Sequence, residues 1–222
     1  MRGFAAFAAG VALCSVSSVA FAADLSTSTL PGPFYFNAHG GYVFSTQSDD
    51  SASNGGPPIV SRVTSNPGYL IGIAAGKAIG PNLDVEGELN YAAATAHSIH
   101  VSSPVVFDGP ATGSGSSFTA MVNAIVKIDG AVSPYAGAGI GVAYFTANNI
   151  AAASAVLNGS DTGVAYQFLA GVNVALSPGA SVGARYRYVK TTDLSLKDGG
   201  YTHSFNTTAQ SVEVVLTKRF GN

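Results

Sequence analysis

The sequence predicts an all-β fold, an eight-stranded antiparallel up-and-down transmembrane β-barrel, from three observations. Stretches of alternating apolar and polar residues run the length of the chain. Short turns and long polar segments alternate between them. Charged residues make up only 10% of the 222 positions, against roughly 25% in an ordinary soluble domain. Mean hydropathy is mildly positive, yet no segment after the leader reaches the ~18 uncharged apolar residues of a spanning helix. Alternating strands spread hydrophobicity thinly enough to satisfy both facts.

The expected strands cover residues 34–45, 69–79, 83–95, 117–128, 133–146, 164–176, 180–191 and 209–220. Each is long enough to cross a bilayer at a tilt, which takes about 9–11 residues. Gly80-Pro81-Asn82, Asp129-Gly130 and Ser177-Pro178-Gly179 supply short turns with the residue types that turn geometry requires. Residues 46–68, 96–116, 147–163 and 192–208 are the long connections, rich in Ser, Thr, Asn, Asp and Gly. Short turns on one side and long connections on the other are the rule in bacterial outer-membrane barrels, so the expected location is the bacterial outer membrane.

Face assignment agrees from strand to strand. Leu83, Val85, Leu89 and Tyr91 alternate with Asp84, Glu86, Glu88 and Asn90. Phe118, Ala120, Val122, Ala124 and Val126 alternate with Thr119, Met121, Asn123 and Lys127. Val182, Ala184, Tyr186 and Tyr188 alternate with Ser181, Gly183, Arg185 and Arg187. A one-residue slip would turn these charges to lipid, where Arg or Lys costs about 2–4 kcal/mol at mid-bilayer. A soluble barrel would show the opposite arrangement. Aromatic residues agree: Tyr42, Phe44, Tyr69, Tyr91, Phe118, Tyr144, Tyr166, Phe168 and Tyr188 fall at one rim, and Phe34, Phe36 and Phe220 at the other.

Residues 1–22 read as a secretory leader, leaving the barrel domain at 23–222. Arg2 provides its positive end, an apolar run follows from Phe4, and Ala20-Phe21-Ala22 has the small-x-small form of a cleavage site. Cys14 is the single cysteine and follows Leu13, where a lipidation signal would have a small residue. The remaining chain then has neither disulfide nor cysteine–metal site. Without Arg2 the net charge is −3, which leaves no basic patch for nucleic acid.

Several segments resemble a known family. Phe34-Tyr-Phe-Asn-Ala-His-Gly-Gly-Tyr42 resembles the opening strand of the transmembrane domain of outer-membrane protein A. Ser133-Pro-Tyr-Ala-Gly-Ala-Gly-Ile-Gly-Val-Ala-Tyr144, Ala165-Tyr-Gln-Phe-Leu-Ala-Gly-Val172 and Ala184-Arg-Tyr-Arg-Tyr188 resemble later strands of small outer-membrane barrels, including opacity-type surface antigens. The Phe220 end is similar to that family's signal for insertion by the barrel-assembly machinery, although Gly221-Asn222 follow it. The resemblance implies a monomeric barrel in outer-membrane lipid with a structural or surface-antigen role, its outward loops meeting a host or envelope ligand.

Eight strands enclose an interior that side chains can fill. Asp84, Glu86, Glu88 and Glu213 face Lys127, Arg185 and Arg187 there, with His39 nearby and Arg219 at the inner mouth. The expected arrangement is a salt-bridge network that closes the lumen. If the last hairpin sets Asp193 opposite Thr207, Arg187 falls opposite Glu213. A narrow channel for small polar solutes is the alternative. A more distant one is a lipid-modifying enzyme: His100 and Ser102 share a face of an extended segment, with Asp108 the nearest acid. His203-Ser204 point apart, and no carboxylate or cysteine pattern completes a metal site around His97 and His100. No cofactor and no catalytic residue is therefore expected. Ile59-Val60, Val105-Val106-Phe107 and residues 151–157 are apolar patches in the long connections, expected to pack on the rim, to extend the strands or to form a contact surface.

Overall fold

The computed structural model describes residues 34–221 apart from Val105, Ala153, Ser154 and Gly199. The expected leader lies outside the described residues. Nine antiparallel strands form one sheet: β1 Phe34–Ser53, β2 Ile59–Ser65, β3 Gly68–Ala78, β4 Leu83–Ser103, β5 Phe107–Lys127, β6 Val132–Ala152, β7 Ala155–Ser177, β8 Ala180–Asp198 and β9 Tyr201–Phe220. Neighbours in sequence are neighbours in space from β3 to β9, β1 pairs with β3, and β1 also pairs with β9 along its length, which closes the sheet.

Nine strands make eight positions around the ring, because β2 and β3 share one. Both lie between β1 and β4. They are separated at Asn66-Pro67, since a proline cannot donate to the ladder. Asn66 bridges the gap: its backbone N–H donates to the Thr95 carbonyl at 2.8 Å and its side chain to Thr95 Oγ1 at 3.2 Å.

Between the aromatic rims the expected faces are the observed ones. Ile73, Val122, Ile140 and Val214 lie on the outer surface, with Ile140 64% exposed, while Arg187 on the inner face is 1% exposed. Aromatic side chains pair across strands at both rims. Tyr69 lies 6.3 Å from Tyr91, Phe168 6.4 Å from Tyr188, and Phe44 6.4 Å from Tyr186 at one level. At the other level Phe36 meets Phe220 edge to face at 6.0 Å, and Lys77 sits over Phe34 at 5.7 Å.

The long connections depart from the reading as polar loops. Most of their residues continue the strands, and β4, β5 and β6 each reach 21 residues. At ~3.4 Å per residue such a strand is roughly 70 Å long, about twice what an outer-membrane crossing requires. Beyond the rim the alternation changes sign. Ala147, Leu194, Leu196 and Phe205 are buried inside, backed by Phe145, Ile150 and Leu157. Asp49, Arg62, His100, Asp108 and Lys197 are exposed outside. A tube wall surrounded by water buries apolar side chains inward, the reverse of one surrounded by lipid.

A belt of register shifts marks the change. They fall at Val43/Ser45, Thr95/Ser98, Thr112/Ser114, Ala147/Ile150 and Thr191/Leu194. An extra residue bends a strand and increases its twist. Gly113, Asn149 and Asp193 take left-handed conformations at three of these points (φ 101°, 48° and 62°).

Candidate functional site

The inner face at mid-height carries the most concentrated chemistry of the molecule. Alternation places Asp84, Glu86, Glu88 and Asn90 inward from β4, Asn123 and Lys127 from β5, Arg185 and Arg187 from β8, and Glu213 from β9; all are buried. Small residues opposite leave room for them. A Cβ on Gly72 would meet Asn90 and His39, and one on Gly139 would meet Asn123.

Glu213 is the hub. Arg187 holds it as a fork, Nε to Oε1 at 2.7 Å and Nη2 to Oε2 at 3.2 Å. Arg185 donates to Oε2 from Nε at 2.9 Å and from Nη2 at 2.7 Å, and the Ser211 hydroxyl donates to Oε1 at 2.8 Å. Glu88 is the second hub. It pairs with Arg187 across the ring and accepts from Asn90 at 2.6 Å, Asn123 at 2.7 Å and Gln167 at 3.3 Å. Gln167 also donates to Asn123 Oδ1 at 2.7 Å and accepts from Arg187 Nη1. His39 faces amide oxygens with both ring nitrogens, Asn37 at 3.0 Å and Asn90 at 2.6 Å.

The other two acids sit lower. Among the described residues Glu86 has no cation within ion-pair distance, and it accepts from Asn37 at 2.7 Å and Asn123 at 3.2 Å. Asp84 pairs with Lys127 at 2.9 Å and with Arg219 at 3.4 Å. Arg219 lies over the Tyr35 ring at 5.0 Å. The seven charged residues therefore form two groups, Glu88, Glu213, Arg185 and Arg187 in the middle and Asp84 with Lys127 below, with Glu86 between them on amides.

One pairing differs from the sequence reading. Arg185, not Arg187, lies opposite Glu213, and Arg187 lies opposite Ser211. Two residues, Thr192 and Asp193, face the single Asn206 where Thr191 pairs with Thr207 and Leu194 with Phe205. Asp193 consequently has no place opposite Thr207. Arg187 still reaches Glu213 diagonally. Gln167 was not anticipated as a partner. A lone glutamine between Ala165 and Leu169 at the inward period is a signal that could have found it.

The layer lies between two cavities. A cavity of about 590 Å³ lies on the side of the long extensions and one of about 250 Å³ on the side of the short turns. They have no lining residue in common. Arg187, Asn90 and Ser211 floor the larger, whereas Glu86, Arg185 and Asn37 roof the smaller.

The remaining candidates sit on the extensions and at the inner rim. His100 and Ser102 lie on the outer face of β4, where His100 Nδ1 is 2.6 Å from Asp108 Oδ1 and the Ser102 hydroxyl donates to the Val60 carbonyl at 3.3 Å. The three are thus not joined in one relay. Among the described residues no cluster of three or more His, Cys, Asp or Glu is arranged to hold a metal ion. Phe220 is exposed on the outer surface beside Phe36. A pair that sequence reading missed is Asp50 with His203, 153 positions apart, joined at 2.8 Å from Nδ1 to Oδ2. Burial pushes the Asp50 carboxyl up, and the bond from His203 opposes this in part.

A family model described as outer membrane protein beta-barrel domain matches residues 6–215. The chain belongs to this outer-membrane β-barrel family. Among solved structures it is similar to Neisserial surface protein A, at 18% identity and TM-score 0.46, covering 83% of this chain and 97% of that one. It is also similar to the N-terminal β-barrel domain of Pseudomonas aeruginosa OprF, at 14% identity and TM-score 0.44, covering 85% and 98%. Ail, the attachment invasion locus protein of Yersinia pestis, aligns at 15% identity and TM-score 0.37 over 86% and 100%. No curated protein sequence matches. This outer-membrane barrel sits in the bacterial outer membrane, with the apolar band between its aromatic rims in lipid and its charge layer at membrane depth.

Proposed function

We propose that the protein is a non-conducting barrel of the cell envelope whose extended hairpins display a contact surface outside the cell. The observation that carries this reading is the buried layer of Glu88, Gln167, Arg185, Arg187 and Glu213, bonded across the lumen between two cavities. Between them every charge of the middle layer is paired or hydrogen-bonded. Breaking such a buried pair costs about 3–5 kcal/mol, so the layer serves as a fixed plug rather than a path for solutes. The tube beyond the membrane carries polar residues outward, and its exposed tips at Asn54-Gly55-Gly56 and around Val106 are available to an external ligand. In this reading residues 1–22 are a cleaved leader, Phe220 belongs to the signal read by the assembly machinery, and the barrel works as a monomer. The separate bonding of Ser102 and His100 favours no lipid-modifying chemistry. The test is recording from purified protein refolded into a planar lipid bilayer. The expected trace is silent, and stable ohmic steps from the wild-type protein would refute the plug.

A further inference from the structure

The larger cavity goes beyond that reading, because it lies inside the extensions rather than on their surface. Its wall is mainly apolar, with Ile59, Val63, Ile99, Val101, Phe145 and Leu157 contributing large side chains. Small residues line the same chamber, Ala92, Ala94 and Ala96 of β4 and Gly115 and Ser116 of β5. Protein interiors rarely keep voids larger than a water molecule, and larger residues at those positions would fill this one. The sequence therefore builds the space. Its volume of about 590 Å³ falls within the ~300–1,000 Å³ of small-molecule sites.

Hydroxyl groups also line the wall, Ser48 and Thr207 bonded to each other at 3.0 Å, and among the described residues the one acid–base pair above the floor is Asp50 with His203. Asp50 and His203 both line the cavity and are largely buried, with side chains 17% and 18% exposed. The Nδ1 of His203 is committed to Asp50, and its Nε2 has no hydrogen-bond partner among the described residues. A carboxylate on Nδ1 fixes the ring, and in the neutral imidazole Nε2 is then the hydrogen-bond acceptor. Below, the charge layer closes the floor.

We infer that this chamber is a blind binding site, entered from outside, for a neutral and mainly apolar molecule with one hydroxyl that donates to His203 Nε2. Lipid tails do not supply it, because the closed wall of the sheet stands between the chamber and the bilayer.

The test uses the full barrel in lipid nanodiscs with labelled Ile, Leu and Val methyl groups, titrated with 4-hexylphenol and with 4-hexylanisole, which lacks the donor. Saturable shifts are expected at Ile99, Val101 and Leu157, while Val122 and Ile140 in lipid report partitioning alone. Ala94→Trp fills the chamber and should abolish the saturable shifts. His203→Phe should weaken hexylphenol at least about tenfold, the scale of one buried hydrogen bond with a strong acceptor, and leave hexylanisole unchanged. Gel mobility of unheated samples verifies that both variants fold. Shifts confined to Val122 and Ile140, shifts that grow without saturating, or equal binding in wild type and Ala94→Trp would overturn the site. Silence in the bilayer recording is independent of this result, so the two proposals fail separately.

Discussion

Replacing Glu213 with alanine removes the carboxylate on which both lumenal arginines converge. The fork with Arg187, two bonds from Arg185 and one from Ser211 disappear together. Arg187 retains Glu88 and Gln167. Among the described residues Arg185 retains only Glu88, at 4.0 Å, with its side chain 2% exposed. A stranded buried cation of this kind costs about 3–5 kcal/mol, and the isolation of Arg185 puts the expectation at the upper end. The cost should be specific to the imbalance of charge. Glu213→Leu combined with Arg185→Met removes one charge of each sign and leaves Glu88 facing Arg187, so the double variant should be more stable than Glu213→Ala. The chain lacks tryptophan, so urea unfolding in lipid vesicles is best followed by circular dichroism. A Glu213→Ala loss below about 0.5 kcal/mol, the range of inert surface changes, would refute the reasoning. So would a double variant no more stable than the single one. Exchanging Arg62 for alanine provides a control: its pair with Asp49 is more than half exposed, and the midpoint should not move.

Three further outcomes follow from the same geometry. Val122→Arg places a cation on the lipid face near mid-span and should cost about 2–4 kcal/mol in the same unfolding assay; an unchanged midpoint would place Val122 away from lipid. Gly141→Ala drives a methyl group into the Ala120 carbonyl of the neighbouring strand, and overpacking of this sort costs about 1–3 kcal/mol, visible as a lower folding yield and midpoint. Asp50 has its folded-state pKa raised by burial, so its contribution to stability is complete below the unfolded value of ~3.9 and is lost as pH rises through the raised one. Asp50→Asn should therefore gain on wild type as pH rises from 3.5 towards 7, and a wild type that gains on the variant over that range would reverse the sign.

The faces of the membrane-spanning half were legible because period-two alternation there carries charge on one side only. Asp84, Glu86 and Glu88 admit no other register next to Leu83, Val85 and Leu89. The extensions were legible as strands only at their apolar patches, Ile59-Val60 among them. Their alternation persists with the opposite sign, as in Leu194, Leu196 and Phe205 turned inward, and a pattern sought as apolar-out reads as loop. The site divides in the same way. Each lumenal charge could be placed on the inner face, yet the partner of Arg187 could not be placed by counting back from the hairpin, because the extra residue at Thr192-Asp193 shifts the pairing.

Alternation, turn chemistry and aromatic placement are local, and from them alone come the closed antiparallel sheet, its outer-membrane setting and the set of ionic residues it must enclose. Which of those residues meet is a matter of closure. Glu88 on β4 and Arg187 on β8 lie four strands apart in either direction around the ring, so only the completed circumference brings them into contact. Asp50 on β1 and His203 on β9 meet across the seam where the ring closes, and the chamber they line exists only inside the closed ring. Its space comes from small residues such as Ala92, Ala94 and Gly115 set beside large ones on the paired strands β2 and β6, a relation that strand pairing creates.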